Sequence, residues 1–571
     1  MSYFGLPRLC FFGTFRASPS TINNTDSNFA EPPILQQLWN PKGGHEFQLL
    51  RGNEVTIPPS ITVKPCSVQS VTTQSGTFIT DPAADSLIGK LVVSTNSPAT
   101  GKLVDLDPDQ QQVSQVWGMQ LGIGDPDPAS DWLVGDFEAA YFQQIFGPRA
   151  PGGFAIGLSA VYQSKLTNLQ WPAYPKSTVL QQLKTASPDC LSIRFVVDRL
   201  DATPTLAHGV PNPNFTLGRI SGTIGPATVA EPAHITVGRM LRPGSAPPPS
   251  ALKLGGAKEN LPAAAAQAGP INTNFNLAPA LVDTTRNVVG IDLGNALPFN
   301  GDGTPANAGA LQLAVQTSTG NVVLGAIANT ADNYRQRAFL FEFPLGAHAA
   351  AVASNPLVVL SNGNIVMTEN PTGAWIDAAE HVYRMDASTN AEVTLYSTVF
   401  GAPPPAGQNV SLDISPMGDG TNQQPLIVTP QSVTLGPDGT ATFQMSSGIP
   451  GNPRGPIDGQ VYQVTFTWSE DTIPDQTAFV SAHVYDAFTA PVTPAWPDVQ
   501  PIFKQIMVLY PFMQSILDLS DEATVIANAA TIASFMRLPI TSPHFMPVTR
   551  DLSGPKTAMI LAWLDAQGGA H

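Results

Sequence analysis

Short apolar runs separated by turn-forming residues dominate the first 490 positions. Leu6 to Ala17 is an almost unbroken apolar stretch and predicts a buried first strand. Similar runs recur at Val55–Val63, Thr77–Thr80, Leu91–Ser94, Val113–Ile123, Phe154–Tyr162 and Ser192–Leu200. They continue at Phe215–Ile224, His234–Leu241, Asn287–Leu293, Leu311–Thr317 and Ala338–Phe343. Each is short and rich in β-branched or aromatic residues, with Gly, Pro, Asn or Asp at its ends, which is the pattern of strands. Phe137–Phe146 fits a short helix or a strand equally well. A Pro/Ala/Gly-rich arm, 243–270, interrupts the series and reads as a surface loop.

The pattern changes twice. From Gln424 to Val484, strand–turn–strand units such as Ser432–Met445, with a Pro437-Asp-Gly turn, predict an immunoglobulin-like β-sandwich over 424–490. From about Val499 the period becomes helical, with Ile502, Ile506, Tyr510 and Met513 on one face and Pro511 as a kink. Ser520 and Ser553 read as N-caps of two further helices, the last with Pro555 in its first turn. The expected fold is therefore mainly β with a C-terminal helical cap of about three helices. Its divisions are a β-rich body (1–423), the sandwich (424–490) and the cap (491–571).

Composition narrows the function classes. Only 12% of the 571 residues are charged, and 43 acidic against 27 basic residues give a net charge of −16. Phosphate backbones and anionic membrane surfaces need Lys/Arg clusters that this chain lacks. No apolar run reaches the length of a membrane span, and the first residues do not read as a signal peptide. Three widely spaced cysteines, Cys10, Cys66 and Cys190, fit a reducing compartment. The expectation is a cytoplasmic protein with neither nucleic-acid nor membrane partners.

Motifs for chemistry are sparse. Glu231-Pro-Ala-His234 has the Glu-x-x-His spacing of a diiron helix, but it contains a proline, runs into a strand pattern and has no partner motif. Asp105-Leu-Asp-Pro-Asp109 alternates carboxylates without the glycine or distal glutamate of a calcium loop. Among the eight histidines, His544 is the weak metal candidate, because it borders the dense motif Phe545-Met-Pro-Val-Thr-Arg-Asp-Leu-Ser-Gly-Pro-Lys556. No catalytic residue is assigned from motif.

Three segments carry a family resemblance. They are Pro7–Ala17 continuing to Asn24, Val237-Gly-Arg-Met-Leu-Arg-Pro243, and Leu509-Tyr-Pro-Phe-Met513 with Phe545–Lys556. In order and spacing they resemble the N-terminal half of the violacein-pathway iminophenylpyruvate dimer synthase and its chromopyrrolate synthase relatives. In that family a ferritin-like helical domain follows this half, and the full-length members couple two imine forms of an aromatic 2-oxo acid, with haem or iron associated. The resemblance implies a scaffold or partner subunit for a separate ferritin-like oxidase. It also leaves room for a haem- or iron-dependent enzyme that couples aromatic 2-imino acids in its own right, or for a self-assembling structural or binding protein, a homo-oligomer, that has lost the pathway.

The residues of these motifs have a physical reading of their own. Arg239 and Arg242 can hold a substrate carboxylate through paired guanidinium bonds, or can lock the fold through buried ion pairs. Tyr510, Pro511, Arg550, Asp551, Ser553 and Lys556 read as a rigid junction. In it Tyr510 packs, Ser553 caps the last helix, and the charged residues tie that helix to the β-rich body.

Overall fold

A computed structural model describes residues 2–17, 46–49, 65–95, 101–106, 115–127, 130–151, 157–201, 212, 214, 216–244, 275–417, 425–454, 457–472, 478–509 and 516–568. Nearly all of the 243–270 arm, together with Tyr510 and Pro511, lies outside the described residues. The fold is mainly β. No helix among the described residues is long and apolar enough to cross a membrane.

The first sheet has 13 strands and is built around four long ones, Arg8–Ala17, Leu217–Pro226, Leu191–Asp198 and Ser159–Gln170, paired antiparallel in that order. The two outer members of this quartet fork. Arg8–Ala17 pairs through Phe15–Ala17 with Glu46–Leu49 and through Arg8–Phe12 with Ser67–Thr72. Ser159–Gln170 pairs through its first half with Ala140–Phe146 and through its second half with Trp132–Phe137. The sheet thus closes two circuits of strands that share the quartet. Leu9, Phe11 and Phe15 from the first strand, Ile193 and Phe195, and Ile220 and Ile224 fill this core. Each such side chain contributes roughly 1.5–3 kcal/mol by leaving water. Phe137–Phe146, undecided from sequence, is resolved as strand over Ala140–Phe146.

The second sheet has eight antiparallel strands between Arg239 and Thr368 and its own core around Phe299, Phe339 and Leu313. Two more sheets, of four and five strands between Ala374 and Val484, enclose a third core that includes Trp468, Phe443 and Val393. This third unit begins near Ala374, well before the boundary at 424 expected from sequence. Ala374–Ala378, Val382–Met385, Asn390–Val399 and Asn409–Met417 all pair inside it. Only its second half carries the Pro-Asp-Gly hairpin texture, so the change of pattern marks the middle of the unit rather than its edge.

Helices Trp496–Leu509, Glu522–Ala527, Ala529–Met536 and Gly554–Gly568 surround a fourth core that includes Trp563, Phe503 and Val525. Asp521, not Ser520, caps the second of them: its carboxylate accepts from the Thr524 N–H at 2.9 Å. Three helices escaped the sequence reading, the shortest of them Ala349–Val352. Thr178–Ala186 is capped by Ser177, and Ala331–Arg337 by Thr330.

Gly13 marks a place where the first sheet has no slack. A Cβ there would sit 2.2 Å from the Cα of Cys66, on backbone that cannot swing aside. Gly13→Ala is expected to destabilise the protein by about 1–3 kcal/mol, read as a lowered urea midpoint with an unchanged slope.

Candidate functional site

Two cavities lie where the units meet, and a few of the residues singled out from sequence, Glu231, Asp551 and Lys556, line them. The larger, about 170 Å³, sits on the first sheet under the segment 227–237. Gln163 and Lys165 on Ser159–Gln170, and Ser192 on Leu191–Asp198, face it from adjacent strands, with Gln163 opposite Arg194 and Lys165 opposite Ser192 in the ladder. Glu231, Pro232, Ile235, Thr236 and Val237 cover it, with Leu281 at one side.

Lys165 is buried, 7% exposed, and donates to the carbonyls of Val229, at 2.9 Å, and of Glu231. Thr236 donates to the Gln163 side-chain oxygen at 3.0 Å. Next to these, Arg194 pairs with Asp292 at 2.5 Å and lies over the Tyr3 ring. The Arg194 Nη2 is buried without a hydrogen-bond partner.

The Glu231–His234 motif borders this cavity and is not a diiron element. Glu231 accepts from the Thr228 N–H at 3.1 Å, closing its own turn. His234 contacts the Gln163 carbonyl through Nδ1 at 3.1 Å and the half-exposed Glu380 through Nε2 at 3.3 Å. Burial opposes charging of His234, but Glu380 outweighs it and raises the imidazole pKa above its ordinary value. Burial likewise favours the neutral form of Glu380, yet His234 holds its carboxyl below the usual range.

The smaller cavity, about 30 Å³, has room for a water or two. It lies between the third unit and the helical cap, lined by Asp458, His483, Asp551 and Lys556 together with Ile502 and Ile506. Here the C-terminal motif is assembled. Lys556 pairs with Asp458 at 2.8 Å. Asp386, from the third unit, accepts from the Gly554 N–H at 2.9 Å and so caps the last helix. Ser553 stands at the predicted cap position, but its hydroxyl is buried without a partner; the longer reach of Asp386 takes that role.

Arg550 makes no ion pair with Asp551. It donates to the carbonyls of Ile540, Val548 and Ser542 at 2.6–2.9 Å and lies over the rings of Trp117 and Phe545. Burial, and then Arg384, pull its pKa down to about 9, so it keeps its proton at neutral pH. Asp551 accepts from the Thr549 hydroxyl, and burial raises its carboxyl. Tying the cap to the body therefore falls to Lys556 and Asp386, with Arg550 bracing the loop before the helix.

Arg239 and Arg242 lie apart from both cavities. Arg239 is fully enclosed: Nε donates to Glu369 at 2.6 Å, Nη2 pairs with the same carboxylate, and Nη1 and Nη2 donate to the carbonyls of Val352 and Asn355. Every nitrogen of its guanidinium is engaged inside the fold. Arg242 meets Asp471 of the third unit at 3.5 Å, while its Nε and Nη1 stay buried without a partner. The two side chains do not converge on one pocket.

His544 is exposed against Phe535. Among the described residues no three His, Cys, Asp or Glu converge as a metal-binding set. Neither of these two cavities is large enough for a porphyrin. Asp105 is buried near Arg384, which donates to its carbonyl at 3.2 Å; residues 107–109 of that carboxylate run lie outside the described residues. The cavity residues Gln163 and Lys165 had no sequence signal, since they lie just beyond the apolar run that ends at Tyr162, and Ser192 only opens the run that follows.

No family model matches the chain, and no curated protein matches it. Among solved structures, a protein of unknown function from Porphyromonas gingivalis W83 is similar at 11% identity, covering 35% of this chain and 90% of that one, with a TM-score of 0.15. Domains 4 and 5 of the S-layer protein SbsC give 10% identity, 34% and 90% coverage and a TM-score of 0.14. Trypsin-activated alpha-2-macroglobulin from Escherichia coli gives 12% identity, 85% and 37% coverage and a TM-score of 0.15. At such scores these likenesses decide neither fold nor function.

The His234–Glu380 pair makes a pH-dependent prediction. A histidine whose folded pKa is raised contributes stability that is full below its unfolded pKa of about 6.5 and is lost as pH rises through the folded value. Urea midpoints of the wild type and His234→Gln should therefore differ more at pH 6 than at pH 8.5. A gap that is constant with pH contradicts a charged His234.

Proposed function

We propose that the chain is a scaffold or partner subunit for a ferritin-like oxidase in an aromatic natural-product pathway, corresponding to the N-terminal half of the imine-dimer synthases it resembles. In this reading the two sheets over 374–484 are the immunoglobulin-like sandwich, and the helices after Trp496 are the C-terminal cap against which the helical partner packs.

The observation that supports it is where the protein exposes apolar surface. Of the ten large hydrophobic side chains exposed among the described residues, five lie between 492 and 540: Val492, Ile516, Ile526, Phe535 and Ile540. That segment is less than a tenth of the chain. Apolar side chains concentrated in one stretch of chain, here spread over helices Glu522–Ala527 and Ala529–Met536 and the segments beside them, favour a contact with another protein. Helices offered to a helical partner can bury such residues by ridge-and-groove packing. The cap is also held in a fixed orientation by Lys556–Asp458 and Asp386–Gly554, so it presents a preformed face.

Affinity purification from the native source under non-denaturing conditions, with mass spectrometry and iron analysis, tests this. The expected result is a stoichiometric helical iron protein that is lost from the Ile526→Asp/Phe535→Asp double variant while that variant keeps the wild-type melting curve. Iron bound by this chain alone, or a homo-oligomer insensitive to the double variant, contradicts the proposal.

A further inference from the structure

The cavity on the first sheet has chemistry that the docking function does not use. Its central feature is Lys165, an ammonium on a long strand, 7% exposed. A buried charge is costly unless it is paired and hydrogen-bonded. Lys165 has two carbonyls, those of Val229 and Glu231, and no carboxylate within ion-pair distance among the described residues. An ammonium carries three N–H groups, so one remains beside the cavity. The His234–Glu380 pair takes up the nearest imidazole, and Asp292 is taken by Arg194.

The other polar groups around the cavity add donors. Ser192 lines it, and Gln163 lines it with its side-chain oxygen already occupied by Thr236, which leaves the amide N–H₂ as the group on offer. In the same ladder, the Arg194 Nη2 is buried without a partner, next to the lining residue Gln163. The opposite lining is aliphatic: Pro232, Ile235, Val237 and Leu281. Among the described residues no aromatic side chain lines it.

We infer that this cavity is a binding site for a short aliphatic carboxylate, with the acid group on Lys165, Ser192 and Gln163 and the chain against Ile235, Val237 and Leu281. A charge-assisted bond to a buried ammonium is among the stronger polar contacts available to a small ligand. At about 170 Å³ the cavity is many times the roughly 10–15 Å³ that one water requires, and takes an occupant of several linked atoms. The half-buried residues Ser2, Glu231, Pro232 and Thr236 at its border give the ligand a way in. Glu231 supplies the competing possibility of an amine, so the probes must separate the two charges.

Hexanoate, hexanamide and hexylamine titrated calorimetrically into the full chain make the test. The expected result is saturable binding of hexanoate, with hexanamide and hexylamine weaker by about tenfold or more. Lys165→Met removes the charge while keeping the stem and should abolish hexanoate binding. Because it also loses the two carbonyl contacts, Val237→Phe serves as the second variant: it leaves Lys165 in place, narrows the aliphatic side, and should weaken hexanoate by about tenfold. No saturable hexanoate binding, equal binding of hexanamide, preference for hexylamine, or indifference to Val237→Phe each overturns the inference.

Discussion

The carboxylate of Asp198 holds the first two units together. Arg219 grips it with Nε at 2.8 Å and Nη2 at 2.6 Å, Arg149 reaches it at 3.3 Å, and the Tyr334 hydroxyl donates to it at 3.3 Å. Both guanidiniums lie over Phe299, at 4.2 and 4.6 Å from the ring centre. Their remaining donors reach the carbonyls of Gly294, Leu297 and Gly303 in the second unit. Burial alone raises the carboxyl, but Arg219 and then Arg149 outweigh it and hold it below the usual range. Its contribution is therefore present above the unfolded pKa and lost as pH falls through the folded one. Losing one member leaves an uncompensated buried charge, which typically costs about 3–5 kcal/mol.

The same device recurs at every seam, and it gives the low charge content a structural meaning. Arg8 pairs with Glu342 at 2.7 Å and Arg194 with Asp292, both between the first and second units. Arg242 and Asn370 meet Asp471 between the second and third. Arg384 donates to Gln115 at 2.6 Å between the third and first, and Lys556 joins the cap. A chain with only 12% charged residues places many of its cations in these joints rather than on its surface. Four separate cores then behave as one body, the cap is oriented, and the polar cavity is roofed by 227–237, a segment held at both Lys165 and His234.

Much of the architecture is legible in the sequence because strands and helices are local. The alternation of short apolar runs gives a β-rich chain, and the helical period after Val499 gives the cap. The boundary near Ala374 is not legible, since the strands on either side of it share one texture and only pairing distinguishes them. The motif Phe545–Lys556 reads as a junction from its prolines and paired charges, but its wiring does not. Ser553 yields the cap to Asp386, which lies 168 positions before the Gly554 N–H it accepts from, and Arg550 braces carbonyls instead of Asp551. Arg239 is visible as an important cation, whereas its partner Glu369 lies 130 positions on. Nothing local marks out Asp198 or Lys165 from the other polar residues of their strands, and their importance exists only once distant strands have been brought together.

Calorimetric unfolding of the wild type and Asp198→Ala tests most directly whether buried charges weld the four cores into one unit. Wild type should unfold in a single cooperative transition, with calorimetric and van't Hoff enthalpies in agreement. The variant should melt lower and resolve into more than one transition. Separate transitions already present in the wild type, or an Asp198→Ala profile that superimposes on it, would contradict the account.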